Sequence, residues 1–193
     1  MENDPWLDKW IPLIQKKSTN GVVLELGCGS GWDTAELLVA GCAVIATDMS
    51  MENLSSCRLT VSKATHVQLN HSVFLPFVDH NVSVILASLT LHYFTWTVTM
   101  QIASELRRCL KAGGMLLVRL NSTNDVNYGA STTAPPIEPN FYFHRTMTKR
   151  FFDEPAVRSF LQGWDIQFIE ENIIYRFEKP KSIWEVMATS KSS

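Results

Sequence analysis

The run Val22-Val23-Leu24-Glu25-Leu26 leads without a spacer into Gly27-Cys28-Gly29-Ser30-Gly31, and an amphipathic stretch from Trp32 to Ala40 follows at once. An apolar run of strand length, a glycine-rich turn and a helix-period stretch make the first half of a βαβ unit. This junction constrains the chain more than any other feature. Glycine accepts positive φ and lets a ligand come close to the backbone. The free N–H groups at the start of the following helix are ready to receive a polar group.

The next strand narrows the ligand. Ala43-Val44-Ile45-Ala46-Thr47-Asp48 is β-rich and ends in an acid 21 positions beyond Gly27. An acid at about this distance from a glycine loop holds ribose hydroxyls in nucleotide-binding α/β folds, and two carboxylate oxygens match two neighbouring hydroxyls. Adenosine binding is the first expectation. A dinucleotide loop would place its third glycine where Trp32 stands; here that glycine falls one residue early, at Gly31. This weighs against an NAD-type oxidoreductase. Glu25, just before the loop, suits a ligand carrying an ammonium better than one carrying phosphates.

With Glu25-Leu26-Gly27-Cys28-Gly29-Ser30-Gly31 in view, the chain resembles the class I S-adenosylmethionine-dependent methyltransferases, whose first motif reads hydrophobic run, E/D-x-G-x-G-x-G. The resemblance implies a cofactor set of Glu25, Gly27, Cys28, Gly29, Gly31, Asp48, Met49, Asn70, His71 and Ser88. It continues at His71-Ser72-Val73-Phe74-Leu75-Pro76-Phe77, where relatives carry D-x-x-x-L-P-F and the acid receives the adenine amino group. Here histidine replaces that acid and Asn70 stands beside it. Leu91-His92-Tyr93-Phe94 is similar to the stretch after the fourth strand of many small-molecule methyltransferases, and Lys111-Ala112-Gly113-Gly114 departs from K-P-G-G by one residue. Arg119-Leu120-Asn121-Ser122-Thr123-Asn124-Asp125, with Tyr128-Gly129, is similar to a bacterial subgroup loosely related to tellurite-resistance methyltransferases.

Methyl transfer is an in-line displacement at a carbon already activated by sulfonium, so it needs alignment and exclusion of water rather than a nucleophilic triad or a metal. No diagnostic catalytic residue stands out. His92, Tyr128 and Arg119 are the candidates on the acceptor side, and no metal is expected. The implied activity is methyl transfer from S-adenosyl-L-methionine to a small molecule, leaving S-adenosyl-L-homocysteine. The rival readings are a non-catalytic S-adenosylmethionine-binding or regulatory protein, an NAD-type oxidoreductase, and an RNA or protein methyltransferase.

The chain has 193 residues, 46% hydrophobic and 19% charged, with a formal net charge of −2. It reads as one α/β domain over 1–193: a seven-stranded, mostly parallel sheet with an antiparallel C-terminal strand pair and helices on both faces. Residues 1–20 form an N-terminal helical cap segment, in which Asp4 caps a helix with Pro5 at its first position and Pro12 kinks it. Residues 121–143 form a long substrate-side loop. Helices are expected over 51–64, 96–110 and 153–161, and strands over 66–70, 82–87, 115–120, 165–174 and 182–189. With no basic run longer than Lys16-Lys17, a nucleic-acid partner is not expected. Four cysteines without a C-x-x-C pair read as free thiols. Neither a leader nor a membrane span is expected, which makes the cytoplasm the default location. Oligomeric state is not written in these residues.

Overall fold

β1 (Val23–Leu26) is buried along its whole length, as an apolar run covered on both faces should be. In the computed structural model, which describes residues 4–130 and 132–190, β1 lies between β2 (Val44–Asp48) and β4 (Val82–Ser88), parallel to both. β3 (Thr65–Gln68) extends the sheet beyond β2, and β5 (Leu110–Asn121) extends it beyond β4. The last two strands, β8 (Trp164–Ile174) and β9 (Lys181–Ser190), add antiparallel pairings. The order is β3-β2-β1-β4-β5-β9-β8. The chain winds outward from β1 to β3, then restarts on the other side at β4. That reversal opens a crevice at the carboxyl ends of β1 and β4, where open α/β sheets take ligands.

The helices divide between the faces. Ile14 of α1 (Ile11–Ser18), Leu37 of α2 (Trp32–Val39) and Leu54 and Cys57 of α3 (Met51–Thr60) pack against Val23, Ala46, Leu86, Leu117 and Met187. Ile102, Ala103 and Leu106 of α4 (Trp96–Cys109), with Val157 and Phe160 of α5 (Glu154–Phe160), cover Leu24, Leu26, Ile85, Val118 and Val186. Strand alternation splits these two sets. Each fully buried aliphatic side chain contributes roughly 1.5–3 kcal/mol.

Several boundaries shift. Ser50 caps α3 by accepting from Asn53 N at 3.2 Å, but the helix ends at Thr60. Asp153 caps α5 by accepting from Ala156 N at 2.8 Å. Asp4 caps nothing: residues 6–10 form turns, and α1 begins at Ile11 with Pro12 in its first turn, where proline's missing N–H costs nothing. The expected loop over 121–143 carries a short 3-10 turn, Val126–Tyr128, and ends in a strand. That strand, β6 (Phe141–His144), pairs with β7 (Met147–Arg150) in a separate hairpin. Arg150 docks the hairpin: its N–H donates to His92 O at 2.7 Å, its Nε to Phe94 O at 3.1 Å, and its Nη2 to Glu138.

Candidate active site

The glycine loop and Asp48 form one unit. Gly27 and Gly29 have φ of +70° and +54°. A Cβ on Gly27 would lie 2.2 Å from Thr90 Oγ1, whereas one on Gly29 would meet nothing within 4 Å. Gly27 is therefore fixed by packing, and Gly29 faces open space. Asp48 is buried at the end of β2. It accepts from Gly29 N at 3.0 Å, Ser50 N at 2.8 Å and Asn53 Nδ2 at 3.3 Å. Its orientation is set by the loop it faces.

Glu25 is 3% exposed and accepts from Thr34 Oγ1 at 2.5 Å. Burial, reinforced by the charges of Asp33 and Asp48, pushes its carboxyl up to about 8. The group is largely protonated at neutral pH and would ionise on meeting a cation. Register puts Glu25 opposite both Ala46 and Leu86, Leu86 opposite Leu117, and Ser88 opposite Arg119. Paired residues share a face and alternate residues repeat it. Asp48, Glu25, Ser88, Arg119 and Asn121 thus point to one face at one edge of the sheet.

The remaining sequence candidates have varied surroundings. Cys28 is buried, and burial with the neighbouring Cys57 drives its thiol far up. Met49 is exposed beside Asp48. Asn70 turns its Oδ1 to Ser72 N and Ser72 Oγ, at 3.0 and 2.7 Å. His71 is buried, edge-on to Phe94, with Nε2 3.4 Å from Thr90 O and Nδ1 without a partner. Burial lowers its pKa. Ser88 Oγ accepts from Arg119 Nε at 2.9 Å. His92 is buried behind Tyr93 with Nδ1 unpartnered. Burial and the charges of Lys181 and Lys149 hold it well below its ordinary value, so it stays neutral. Tyr128 reaches the loop before β9, donating to Lys179 O at 3.1 Å and accepting from Lys179 N at 3.0 Å. Arg119 is fully buried and donates to Asp4 Oδ2 at 2.6 Å. Just beyond Ser88, Leu89 holds a φ of +54°, a strained conformation for leucine of the kind found at functional sites.

Sequence reasoning missed Lys181 and the partners that fix the N-terminal tryptophans. Trp6 Nε1 donates to Asp33 Oδ1 at 3.0 Å, and its ring lies 4.0 Å from the Arg119 guanidinium carbon. Trp10 Nε1 donates to Glu185 Oε1 at 2.7 Å. Lys181 is buried against Asp125 at 2.5 Å. These contacts tie the N-terminal segment and the C-terminal strands to the same edge. No local motif announces them.

Residues 24–118, about half the chain, match the family model of the methyltransferase domain. The chain belongs to the class I S-adenosylmethionine-dependent methyltransferases. It is 34% identical over 93 residues to an uncharacterized methyltransferase of Synechocystis sp., an alignment covering 48% of this chain and 43% of that protein. The chain spans less than half the length of the curated relatives it matches. An S-adenosylmethionine-dependent methyltransferase of Methanosarcina mazei superposes with a TM-score of 0.79 at 18% identity, covering 94% of this chain and 98% of that one. The Burkholderia thailandensis 1,6-didemethyltoxoflavin-N1-methyltransferase, solved with 1,6-didemethyltoxoflavin and S-adenosylhomocysteine, superposes at 0.69 and 17% identity, covering 98% and 82%. Both superpositions share the methyltransferase fold. No helix among the described residues is long and apolar enough to cross a membrane.

The residues at the sheet edge fit the family's cofactor. Gly29 leaves room for a ligand against the backbone, and Asp48 is aimed by its own loop. Glu25 offers a buried carboxyl that a cation would ionise. The unpartnered buried nitrogens of His71, His92 and Arg119 and both amide atoms of Asn121 belong to residues at or just beyond the carboxyl ends of β3, β4 and β5.

Proposed function

We propose that the chain transfers a methyl group from S-adenosylmethionine to a small-molecule acceptor. The observation that carries this reading is the meeting of Gly29, Glu25 and Asp48 at the switch point of the sheet. When bound, S-adenosylmethionine supplies a methyl carbon activated by its sulfonium. Asp48 would take the ribose hydroxyls, Glu25 the α-ammonium, and the Gly27–Gly31 backbone the close approach of the amino-acid tail. Residues 70–71 flank the adenine side, where Asn70 and His71 replace the acid of relatives.

On the acceptor side, Ser88 to Phe94 and Asn121 to Tyr128 leave adjacent parallel strands at the same edge, and Trp6 and Trp10 cover it from the N-terminal segment. Walls of aromatic side chains with a few polar groups suit a small polar acceptor. The didemethyltoxoflavin enzyme, of the same fold, acts on such a molecule by its name. Because His92 is held neutral, it would meet the acceptor as an uncharged imidazole. Catalysis in this reading is alignment and dehydration, not a charged base.

Calorimetry with S-adenosylmethionine, S-adenosylhomocysteine and NAD tests the cofactor half. Binding of the first two and not the third is expected, and tight NAD binding alone would overturn it. Incubation with methyl-labelled cofactor and pooled small metabolites tests the transfer; label appearing only in protein or RNA would refute the small-molecule acceptor.

A further inference from the structure

Arg119 heads the large side chains with no solvent exposure. Its Nε donates to Ser88 Oγ at 2.9 Å and its Nη1 to Asp4 Oδ2 at 2.6 Å, but its Nη2 has no partner among the described residues. Two residues on and on the same face, Asn121 is equally buried, with neither amide atom paired among the described residues. A buried polar group left without a partner is destabilising. Native structures leave few such atoms unsatisfied, and these three lie on neighbouring positions of one strand face.

Asp4 comes to this spot from 115 residues away. Its Oδ2 is also 3.6 Å from Arg176 Nη1, so two guanidinium groups converge on one carboxylate oxygen. A guanidinium fork normally grips both oxygens of a carboxylate; Arg119 engages Asp4 through one nitrogen. Further cations face the same edge. Lys181 repeats the face of Glu185, which register sets opposite Arg119, with Ile183 opposite Asn121. Lys149 reaches in from the hairpin. Burial depresses Arg176, Lys181 and Lys149, and repulsion of Arg176 by Arg119, and of Lys181 by Lys149 and Arg176, adds to it. The surrounding acids already have partners or lean neutral. Asp125 holds Lys181, Asp33 takes Trp6, Glu185 takes Trp10 and Lys9, and burial beside Asp33, Asp8 and Asp4 raises Glu36.

Resting on the methyltransferase reading above, we propose that Arg119 and Asn121 form the floor of an acceptor site for a carboxylate-bearing small molecule, and that Asp4 is its resident stand-in in the free protein. The acceptor's carboxylate takes the open Nη2 position and the Asn121 amide, displacing Asp4 and lifting the N-terminal segment that carries Trp6. The cofactor's own methionine carboxylate has the same chemistry, so the test must separate the two sources.

Acetate and benzoate are titrated by calorimetry into the protein, free and loaded with S-adenosylhomocysteine, with acetamide and benzamide as neutral controls. The acids and not the amides should bind the loaded protein. Asp4→Asn, at the edge of the fold, should tighten acid binding roughly tenfold, the worth of one charge-assisted hydrogen bond released. Arg119→Gln should abolish acid binding and leave S-adenosylhomocysteine affinity within about twofold, less than one lost hydrogen bond. Acid affinity unmoved in a folded Asp4→Asn protein overturns the proposal. So does an Arg119→Gln protein that loses S-adenosylhomocysteine yet keeps 5′-methylthioadenosine, which lacks the amino-acid tail: the guanidinium then serves the cofactor. Should Arg119→Gln fail to fold, Asp4→Asn decides alone. Failure of wild type to bind S-adenosylhomocysteine defeats the methyltransferase reading instead, and the titration of the free protein still reports on the anion site.

Discussion

Replacing Glu25 with glutamine separates what this residue does for the fold from what it does for the ligand. The carboxyl rises from 4.5 to about 8 on folding. Between those values the native chain holds a proton that the unfolded chain has lost, so stability falls as pH rises through the window. At about 1.4 kcal/mol per pH unit, ionisation of the unfolded chain destabilises the wild type by about 3 kcal/mol at pH 7, from 7 less the 4.5 of the unfolded chain. Above pH 8 the penalty levels off near 5 kcal/mol, from 8 less 4.5. With 3% of the residue exposed, solvent screens little of this. Glutamine has the same shape, accepts the Thr34 hydroxyl and does not titrate. Glu25→Gln should therefore match wild type near pH 4.5 and become progressively more stable to pH 8, while binding S-adenosylmethionine more weakly because the α-ammonium loses its counter-charge. Urea unfolding at pH 5, 7 and 8.5 reads the first effect. Calorimetry at pH 7 in phosphate and in Tris reads the second, since the wild type should release nearly one proton on binding and the variant none. Superimposable wild-type and variant stability curves across this range would refute the argument.

Asp48→Ala should weaken S-adenosylhomocysteine binding by roughly 1.5–3 kcal/mol, the range for hydrogen bonds to a charged group; unchanged affinity by calorimetry would remove Asp48 from the ribose. Gly29→Val should abolish cofactor binding in a folded protein, because its φ of +54° is strained for valine and its Cβ would enter the open space that the proposed cofactor site uses. Gly27→Ala should instead cut stability, since its Cβ would meet Thr90 Oγ1 at 2.2 Å, and comparing the two melting curves separates ligand space from packing. His92 should show no titration near 6.5 when its ring protons are followed by NMR, because burial and two lysines hold it well below that value; a midpoint at or above 6.5 would contradict the geometry.

The glycine junction, the acid after β2 and the alternation of the strands were legible because each is a local pattern with a physical cause. Val23 to Leu26 reads as a buried strand, and Ser50 and Asp153 read as caps that their hydrogen bonds bear out. The seven-stranded sheet with antiparallel last strands follows from the same periodicities. The hairpin at 141–150 was not legible. Its strands are four residues each, and its position comes from Arg150 reaching the backbone of His92 and Phe94, more than fifty residues earlier. The raised carboxyl of Glu25 was also hidden: strand alternation places the side chain on a face, but α2, α3 and Thr34 make that face dry.

Asp4 shows why local reading fails where it does. Asp-Pro before a run of apolar residues is a sound helix-start signal, and an N-cap contributes about 1 kcal/mol. A fully buried arginine with its partner removed costs about 3–5 kcal/mol. Arg119 is committed to the interior by its place on β5, opposite Ser88 and Glu185. The nearby acids on α2 and β9 bond to Trp6, Trp10 and Lys9. The larger energy takes Asp4 away from its local role, draws Trp6 over the guanidinium, and leaves α1 to start at Ile11. The N-terminal segment is thus shaped by the Arg119 charge, and in the proposed acceptor site a ligand that satisfies Arg119 would compete directly with the contact that holds the segment down.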